Sequence, residues 1–483
     1  MLFNSYEFIF VFLPSVLIVY FLFNSRGHFG AAKIWLILAS LFFYSWWSVY
    51  YLPLIIFSIC INYLVGIGLN RPALPFSRKS LLIIGLIFNI GLLCYFKYAD
   101  FFIANINVLL PADIPLQYIA LPLAISFYTF QQIAYLVDNY RGQAEEENFL
   151  DYARFVLFFP QLISGPIVRH REIMGQHKSR ENKKVDFQNI ATGIFIFFIG
   201  LFKKIVIADT FAAWANFGFD TASSLSLIEG WIASLSYTFQ LYYDFSGYTD
   251  MAIGAALLFN IHLPINFYSP YRALSIQDFW RRWHITLSRF LRDYIYIPLG
   301  GSRAGVTRLY LNIVFTFLIG GLWHGAGWTF VFWGFLHGAA LAINRWWQKQ
   351  GRKMNDILAW FLTFNFVNIA WVFFRAASWT DAMKVLKAMF GFSGIILPEA
   401  SASWLGFLRQ YHISFGGFSM EAFMYPASIM CAAFLLLVIW LPNSMQLKKR
   451  FQPSFLTAVI TGAIALTAIL MLTQVSEFLY FKF

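Results

Sequence analysis

Apolar runs separated by short polar stretches set the rhythm of this chain. They fall at residues 6–23, 30–47, 51–69, 80–96, 118–137, 152–168, 187–208, 226–243, 247–264, 309–323, 327–344, 356–374, 424–441 and 455–474. Nearly all have the length of about 17 residues or more that a helix needs to cross a hydrocarbon core about 30 Å thick. They predict an all-α, polytopic transmembrane protein. Pro and Gly interrupt several runs, so about eleven to thirteen full spans are expected, with the rest as re-entrant or interfacial helices. ALPLAISF at 120–127 and FFPQLISGPIVR at 158–169 are the plainest candidates for broken pieces. Such backbone is tolerated at membrane depth only where protein or a cavity covers it. The first run is too long and too aromatic for a signal-peptide core and lacks a small-residue cleavage site, so it is expected to remain as a span. With no internal repeat and no soluble domain of useful size, one membrane domain is expected over 1–483. Its core would lie at about 240–345 and its C-terminal helices at 356–483.

Composition and charge sharpen this picture. Of 483 residues, 59% are hydrophobic and 12% charged, about half the charged share of a soluble domain. The formal charge of +12 invites a nucleic-acid reading. The basic residues instead cluster in short loops, as the positive-inside pattern expects, so membrane lipids and not nucleic acid are the expected surroundings. Arg26 with Lys33, then Arg71, Arg78 and Lys79, occupy the first and third connections, while 48–51 carries no charge. This orientation puts the N-terminus outside and the basic stretches at 169–184, 272–308, 345–353 and 448–450 in the cytoplasm. The mixed-charge loop 375–421 and the tail after Gln474 then face out. Cys60, Cys94 and Cys431 stand alone in apolar runs, so neither a disulfide framework nor a zinc site is indicated, and no metal is expected.

The candidate chemistry lies in 275–337, which opens SIQDFWRRWHITLSRFLRDYIYIPLGGSR and closes GGLWHGAGWTFVFWGFLHG. Helical placement of 277–294 gathers Arg281, Arg282, Arg289 and Arg292 within about 100°, with Trp280, Trp283, Leu287, Phe290, Leu291 and Tyr294 opposite. One amphipathic helix lying in the interface plane is predicted. Ser275 and Asp278 make a capping-box-like start, and Pro298 with Gly300-Gly301 makes the stop. His284 falls at the edge of the apolar face. From Arg308, about fifteen helical residues reach roughly 22 Å, past the midplane, so His324 is expected deep in the protein among Trp323, Trp328 and Phe330. Gly320, Gly321, Gly325 and Gly327 around it allow close packing of backbones or a break around a ligand.

Ionisable groups inside membrane segments are costly and point to function. A buried neutral imidazole suits a general base, taking the proton of an acceptor hydroxyl as its oxygen attacks a thioester carbonyl. A histidine that merely holds helices together is the plainer alternative. For His284 the alternatives are a supporting or gating role and an anchor of the helix. Arg281 and Arg282, with Trp280, Trp283 and Trp323, are candidates for binding a phosphate-bearing donor, against simple headgroup anchors. Asp244 and Asp250 in YYDFSGYTDMAIG flank an expected break between two spans at Ser246-Gly247. They would orient a histidine or pair with an arginine, against the plainer alternative of an interfacial pair or cap. His337, about 220° from His324 on an uninterrupted helix, is expected to be structural. No GxSxG, HExxH or Walker pattern occurs.

FWRRWHITLSRFLRDYIYIPLGG and GGLWHGAGWTFVFWGFLHG resemble the two signature blocks of the membrane-bound O-acyltransferase family, in its bacterial alginate O-acetyltransferase branch. NSYEFIFVFLP, YSWW, YFKYADFF, LPLAISFYTFQQIAYLVDNYRG, FPQLISGPIVR, LYYDFSGYTDMAIG and the ending EFLYFKF are similar too. The likeness covers nearly the whole chain and is weakest over 392–423. It implies tilted helices around a thin centre with a tunnel, His324 as the catalytic histidine and His284 as the second family histidine. It also implies a cytoplasmic donor, acetyl coenzyme A or a carrier-bound acyl thioester, with no bound cofactor. The acyl group would pass outward through a bacterial inner membrane, to a separate extracytoplasmic acetyltransferase and other polysaccharide-modification proteins. A transporter or flippase, and a non-catalytic scaffold, are the rival readings. The first should show paired inverted repeats, which the sequence lacks; the second predicts that His324→Ala leaves acetylation intact.

Overall fold

A computed structural model describes residues 1–71, 77–111, 113–143, 148–303, 305–472 and 476–479. Gln474, where the tail expected to face out begins, and the last four residues of the EFLYFKF ending lie outside the described residues. The chain packs as two compact units interleaved in sequence. The first comprises 1–202, 247–266 and 447–483, and the second 203–246 and 267–446.

Nearly every element is a helix. Six helices among the described residues are long and apolar enough to cross a membrane: Glu7–Ser25, Val49–Asn70, Arg78–Asn107, Phe187–Thr221, Val306–His324 and Asp356–Arg375. A bent pair, Met424–Trp440 with Ser444–Arg450, makes up to seven. This is fewer than the number of apolar runs, because several runs form shorter helices such as Phe29–Ser45 and Phe455–Leu470. The spans carry bulky apolar side chains on their outer faces, with Ile18 66%, Leu64 62% and Ile87 65% exposed. In water such a surface promotes aggregation; in lipid it faces its natural solvent.

In the first unit, polar side chains join three helices. Ser58 and Asn62 lie on Leu52–Asn70, Asn89 on Arg78–Leu93 and Gln132 on Ile125–Tyr140. The Gln132 Oε1 accepts from Ser58 Oγ at 2.7 Å and from Asn62 Nδ2 at 2.8 Å, and Asn89 Nδ2 donates to Asn62 Oδ1 at 2.6 Å. All four residues are fully buried. Such bonds stabilise membrane helix pairs by about 0.6 kcal/mol each, up to about 2.

Both predicted breaks are present. Ala124, with φ +63, starts the Ile125–Tyr140 helix after an irregular approach. The stretch 158–169 makes one helical turn, Phe159–Leu162, and then irregular backbone that is buried throughout, as membrane depth requires.

The expected break at Ser246-Gly247 is absent. One helix, Leu227–Leu258, runs through it for 32 residues, about 48 Å at about 1.5 Å per residue. The glycine instead permits a close helix approach: a Cβ on Gly200 would lie 2.5 Å from the Gly247 carbonyl oxygen, and one on Gly254 2.6 Å from that of Gly193. In the second unit, the mixed-charge loop 375–421 carries regular structure. It holds the Trp379–Met389 helix and a two-stranded parallel sheet pairing Ile395–Leu397 with Ile413–Phe415.

Candidate active site

Both histidines belong to the second unit. The predicted amphipathic helix is divided. Ile276–Arg282 begins at Ser275, whose hydroxyl accepts from Asp278 N at 3.1 Å, as the capping pattern requires. Trp283 is then extended, and His284 takes φ +41, ψ 53 before a second helix, Ile285–Leu291. A left-handed backbone at a non-glycine residue costs roughly 1–2 kcal/mol and persists only where the surroundings hold it, often at functional sites. The facing of the pattern survives the break. Trp280, Trp283, Leu287, Phe290 and Leu291 are buried, while Arg281 and Arg292 are exposed. His284 is not at the edge of that face. The reversed turn drives it fully inside, at 0% exposure.

His324 is the last residue of the Val306–His324 helix, 2% exposed. Its ring meets those of Trp323 at 4.9 Å, Trp333 at 5.2 Å and Phe374 at 5.1 Å, each steeply inclined. The His284 ring lies 6.4 Å from that of His324 and 6.2 Å from Trp323, and packs edge-on against Phe245 at 4.8 Å. The two imidazoles are therefore brought to one buried, aromatic-walled place. Burial pushes the His284 imidazole down to about 3, so it is neutral at ordinary pH.

The chain reverses after His324 at Gly325–Gly327 and continues as Trp328–Lys349. The two helices touch backbone to backbone. A Cβ on Gly321 would meet the Phe330 carbonyl oxygen at 2.3 Å, and one on Gly334 the Phe317 carbonyl oxygen at 2.3 Å. His337 is on this second helix, so an angle reckoned along an uninterrupted one does not apply. Its Nδ1 accepts from Trp280 Nε1 at 3.2 Å. Rings then run continuously from Trp280 through His337 to Trp333 and His324, with centroids 4.9–5.2 Å apart at each step.

The remaining candidates separate. Trp283 is an interior stacking residue, 5.7 Å from Phe279 and 5.0 Å from Trp371. Arg282 pairs with Asp278 at 2.9 Å. Arg281 lines a cavity of about 430 Å³ together with Arg289, Arg292 and Arg345. Trp280, Leu291, Ile313, Phe317 and Leu341 give it an apolar wall. Asp244 binds Lys204 at 2.8 Å, and Lys204 also reaches Asp209 at 2.9 Å. It thus belongs to a buried ion pair with a lysine. Asp250 belongs to the first unit. Phe245, Trp333 and Phe374, which wall the two histidines, and Trp371 behind them, were not singled out from the sequence. Only the general excess of aromatics hinted at them.

Residues 140–379, which include both histidines, match the membrane-bound O-acyltransferase family. The chain is 48% identical to a Helicobacter pylori protein named peptidoglycan O-acetyltransferase, over 100% of this chain and 98% of the relative. It is 40% identical to the probable alginate O-acetylase AlgI of Pseudomonas aeruginosa, over 83% of this chain and 76% of the relative. A teichoic acid D-alanyltransferase of Bacillus subtilis is 27% identical over 51% of this chain and 66% of the relative. A multi-pass helical architecture and full-length relatives at these identities lead to one assignment: the chain belongs to the membrane-bound O-acyltransferase family and is an O-acyltransferase.

Proposed function

We propose that this enzyme takes an acetyl group from a cytoplasmic thioester and passes it across the bacterial inner membrane for O-acetylation of an extracytoplasmic polysaccharide. The glycan of peptidoglycan is the favoured polymer, since the relative named for it matches the full chain at 48% identity, against 40% over 83% of the chain for the alginate relative. The observation that carries the mechanism is the left-handed turn at His284, which brings its ring to 6.4 Å from His324 inside an aromatic wall. A hydroxyl that bridges the two rings would need to come within about 2.8 Å of a nitrogen of each.

In the proposed step His324 accepts the hydroxyl proton while the oxygen bonds to the thioester carbonyl carbon. The tetrahedral adduct then expels the thiolate, which takes the proton back from His324, leaving an ester and a thiol. His284, neutral and held rigidly, positions the acceptor hydroxyl or the His324 ring. Arg281, Arg289, Arg292 and Arg345 suit the phosphates of coenzyme A or of a carrier's phosphopantetheine arm. A separate extracytoplasmic acetyltransferase would receive the acetyl group for final transfer.

The test follows labelled acetyl from acetyl coenzyme A in vesicles holding wild type or His324→Ala. Transfer should fall by about 10²-fold or more in the variant; equal transfer refutes the base. Transfer only from a carrier-protein thioester would reassign the donor.

A further inference from the structure

One donor in the wall of the candidate active site lacks an acceptor. Trp333, in the second turn of Trp328–Lys349, is 1% exposed, and its indole Nε1 is buried without a hydrogen-bond partner among the described residues. An indole nitrogen only donates, and a buried donor left unmet is both rare and costly. A phenylalanine here would avoid that cost. The neighbouring rings give no relief. Phe374, at 5.0 Å, has no acceptor, and Trp371, stacked at 5.5 Å, is another donor. The Nδ1 of His337, whose ring lies at 4.9 Å, is taken by Trp280. In a neutral His337 ring that bond places the proton on Nε2, so its other nitrogen is a donor as well. His324 is the remaining close neighbour, its ring 5.2 Å from that of Trp333 and inclined at 89°.

Acyl transfer at His324 would create the acceptor that Trp333 lacks. As the hydroxyl oxygen bonds to the thioester carbon, its proton passes to His324 and the carbonyl π pair moves onto the carbonyl oxygen. That oxygen carries the negative charge until the pair returns, the C–S bond breaks and the departing thiolate takes the proton from His324. The attacking oxygen and the oxyanion are bound to one carbon. The base and the donor that meets the oxyanion must therefore be neighbours, as His324 and Trp333 are. A donor held rigid in a buried site needs no reorganisation when the charge appears, and the packing against Trp371, His337 and Phe374 holds this indole so. We propose that Trp333 Nε1–H is the oxyanion donor, hydrogen-bonding the thioester carbonyl oxygen from about 2.9 Å and transferring no proton itself. The assignment rests on the reading of His324 as the base and adds a second catalytic residue to it.

The experiment measures labelled acetyl transfer by the full-length enzyme in vesicles, from whichever of acetyl coenzyme A and an acetylated carrier protein wild type turns over. Trp333 is replaced by benzothienylalanine, which keeps the bicyclic ring and puts sulfur where the N–H was. Trp333→Phe removes the same N–H in a smaller ring. Both should lower kcat on the order of 10²-fold, with KM for the thioester within about threefold of wild type. The benzothienyl enzyme should also unfold within about 2 °C of wild type. A benzothienyl enzyme with the wild-type kcat overturns the proposal. So does a fall in kcat that comes with a lowered unfolding temperature in both variants, since the indole would then serve packing alone. His324→Ala, run alongside, separates the two readings. If it is inactive while the benzothienyl enzyme is active, only the Trp333 assignment falls; if it is fully active, the base falls and the oxyanion donor with it.

Discussion

Alanine scanning of the glycines around His324 tests how closely the two helices of its hairpin are pressed together. A methyl on Gly327 would lie 3.6 Å from Phe330 Cδ2, an ordinary contact, and one on Gly320 would meet only Leu291 Cδ1, at 3.1 Å. On Gly321 it would lie 2.3 Å from a backbone oxygen, that of Phe330, and 3.1 Å from Gly334 Cα. On Gly325 it would enter the Phe330 ring, 2.2 Å from Cε2. Gly325 and Gly327 have φ of −158 and −165, extended values open to any residue, so the penalty at both is purely steric. Overpacking of this kind costs about 1–3 kcal/mol. Better helix propensity returns about 1 kcal/mol at Gly320 and Gly321, enough to cancel the mild contact at Gly320 but not the backbone clash at Gly321. Phe330 packs on Phe374 at 5.1 Å, and Phe374 on His324 at 5.1 Å, so a displaced Phe330 ring also disturbs the imidazole. Thermal unfolding in detergent, with acyl transfer measured in parallel, should rank Gly327→Ala and Gly320→Ala near wild type. Gly321→Ala and Gly325→Ala should be less stable by about 2 kcal/mol and less active. Equal unfolding temperatures for all four variants would refute the close approach and the placement of His324 that depends on it.

Other outcomes follow from the same geometry. His284→Gly keeps the left-handed turn and His284→Ala does not, so the glycine variant should be the more stable by about 1 kcal/mol. Both should lose transfer alike, and recovery by glycine would reduce His284 to a turn residue. Asp244→Asn leaves Lys204, whose side chain is 3% exposed, with Asp209 as its remaining carboxylate partner, and should destabilise by about 2 kcal/mol. Adding Lys204→Met should restore much of that, which a double-mutant cycle of unfolding midpoints reads directly. His284 is held at about 3 when folded against about 6.5 when unfolded. The folded protein therefore binds fewer protons between those values. Its stability should be full above about pH 6.5 and decline as pH falls toward 3. His284→Gln should make that acid limb shallower.

Much of the architecture was legible because apolar length and loop charge act locally. The Ser275 cap and the division of 277–294 into arginine and aromatic faces depend on neighbours three and four residues apart, and both are found. The turn at His284 was not legible. A periodicity count assumes a continuous helix, and no glycine or proline marks the place where tertiary packing reverses the backbone. Gly247 misled for the opposite reason: a residue that permits a break also permits helices to touch, and Gly200 decides between them. The wall around the two histidines was invisible because Phe245 at His284, and Trp333 and Phe374 at His324, come from separate helices. The lysine that pairs with Asp244 could not be named because Lys204, forty positions earlier, is linked to it only by the fold.

The amides joining Ser58, Asn62, Asn89 and Gln132 bear on how the protein is made. During synthesis the Leu52–Asn70 helix emerges first, Arg78–Leu93 second and Ile125–Tyr140 third. Asn62 and Asn89 can pair as soon as both helices are inserted. Gln132, the most recently made of the four, then arrives to find Ser58 and Asn62 already in place as donors for its carbonyl oxygen. Chain order thus spares the glutamine a long residence in hydrocarbon without a partner, where an unpaired amide costs several kcal/mol. Moving Gln132 ahead of its partners by circular permutation would leave the folded network intact while exposing its insertion to quality control.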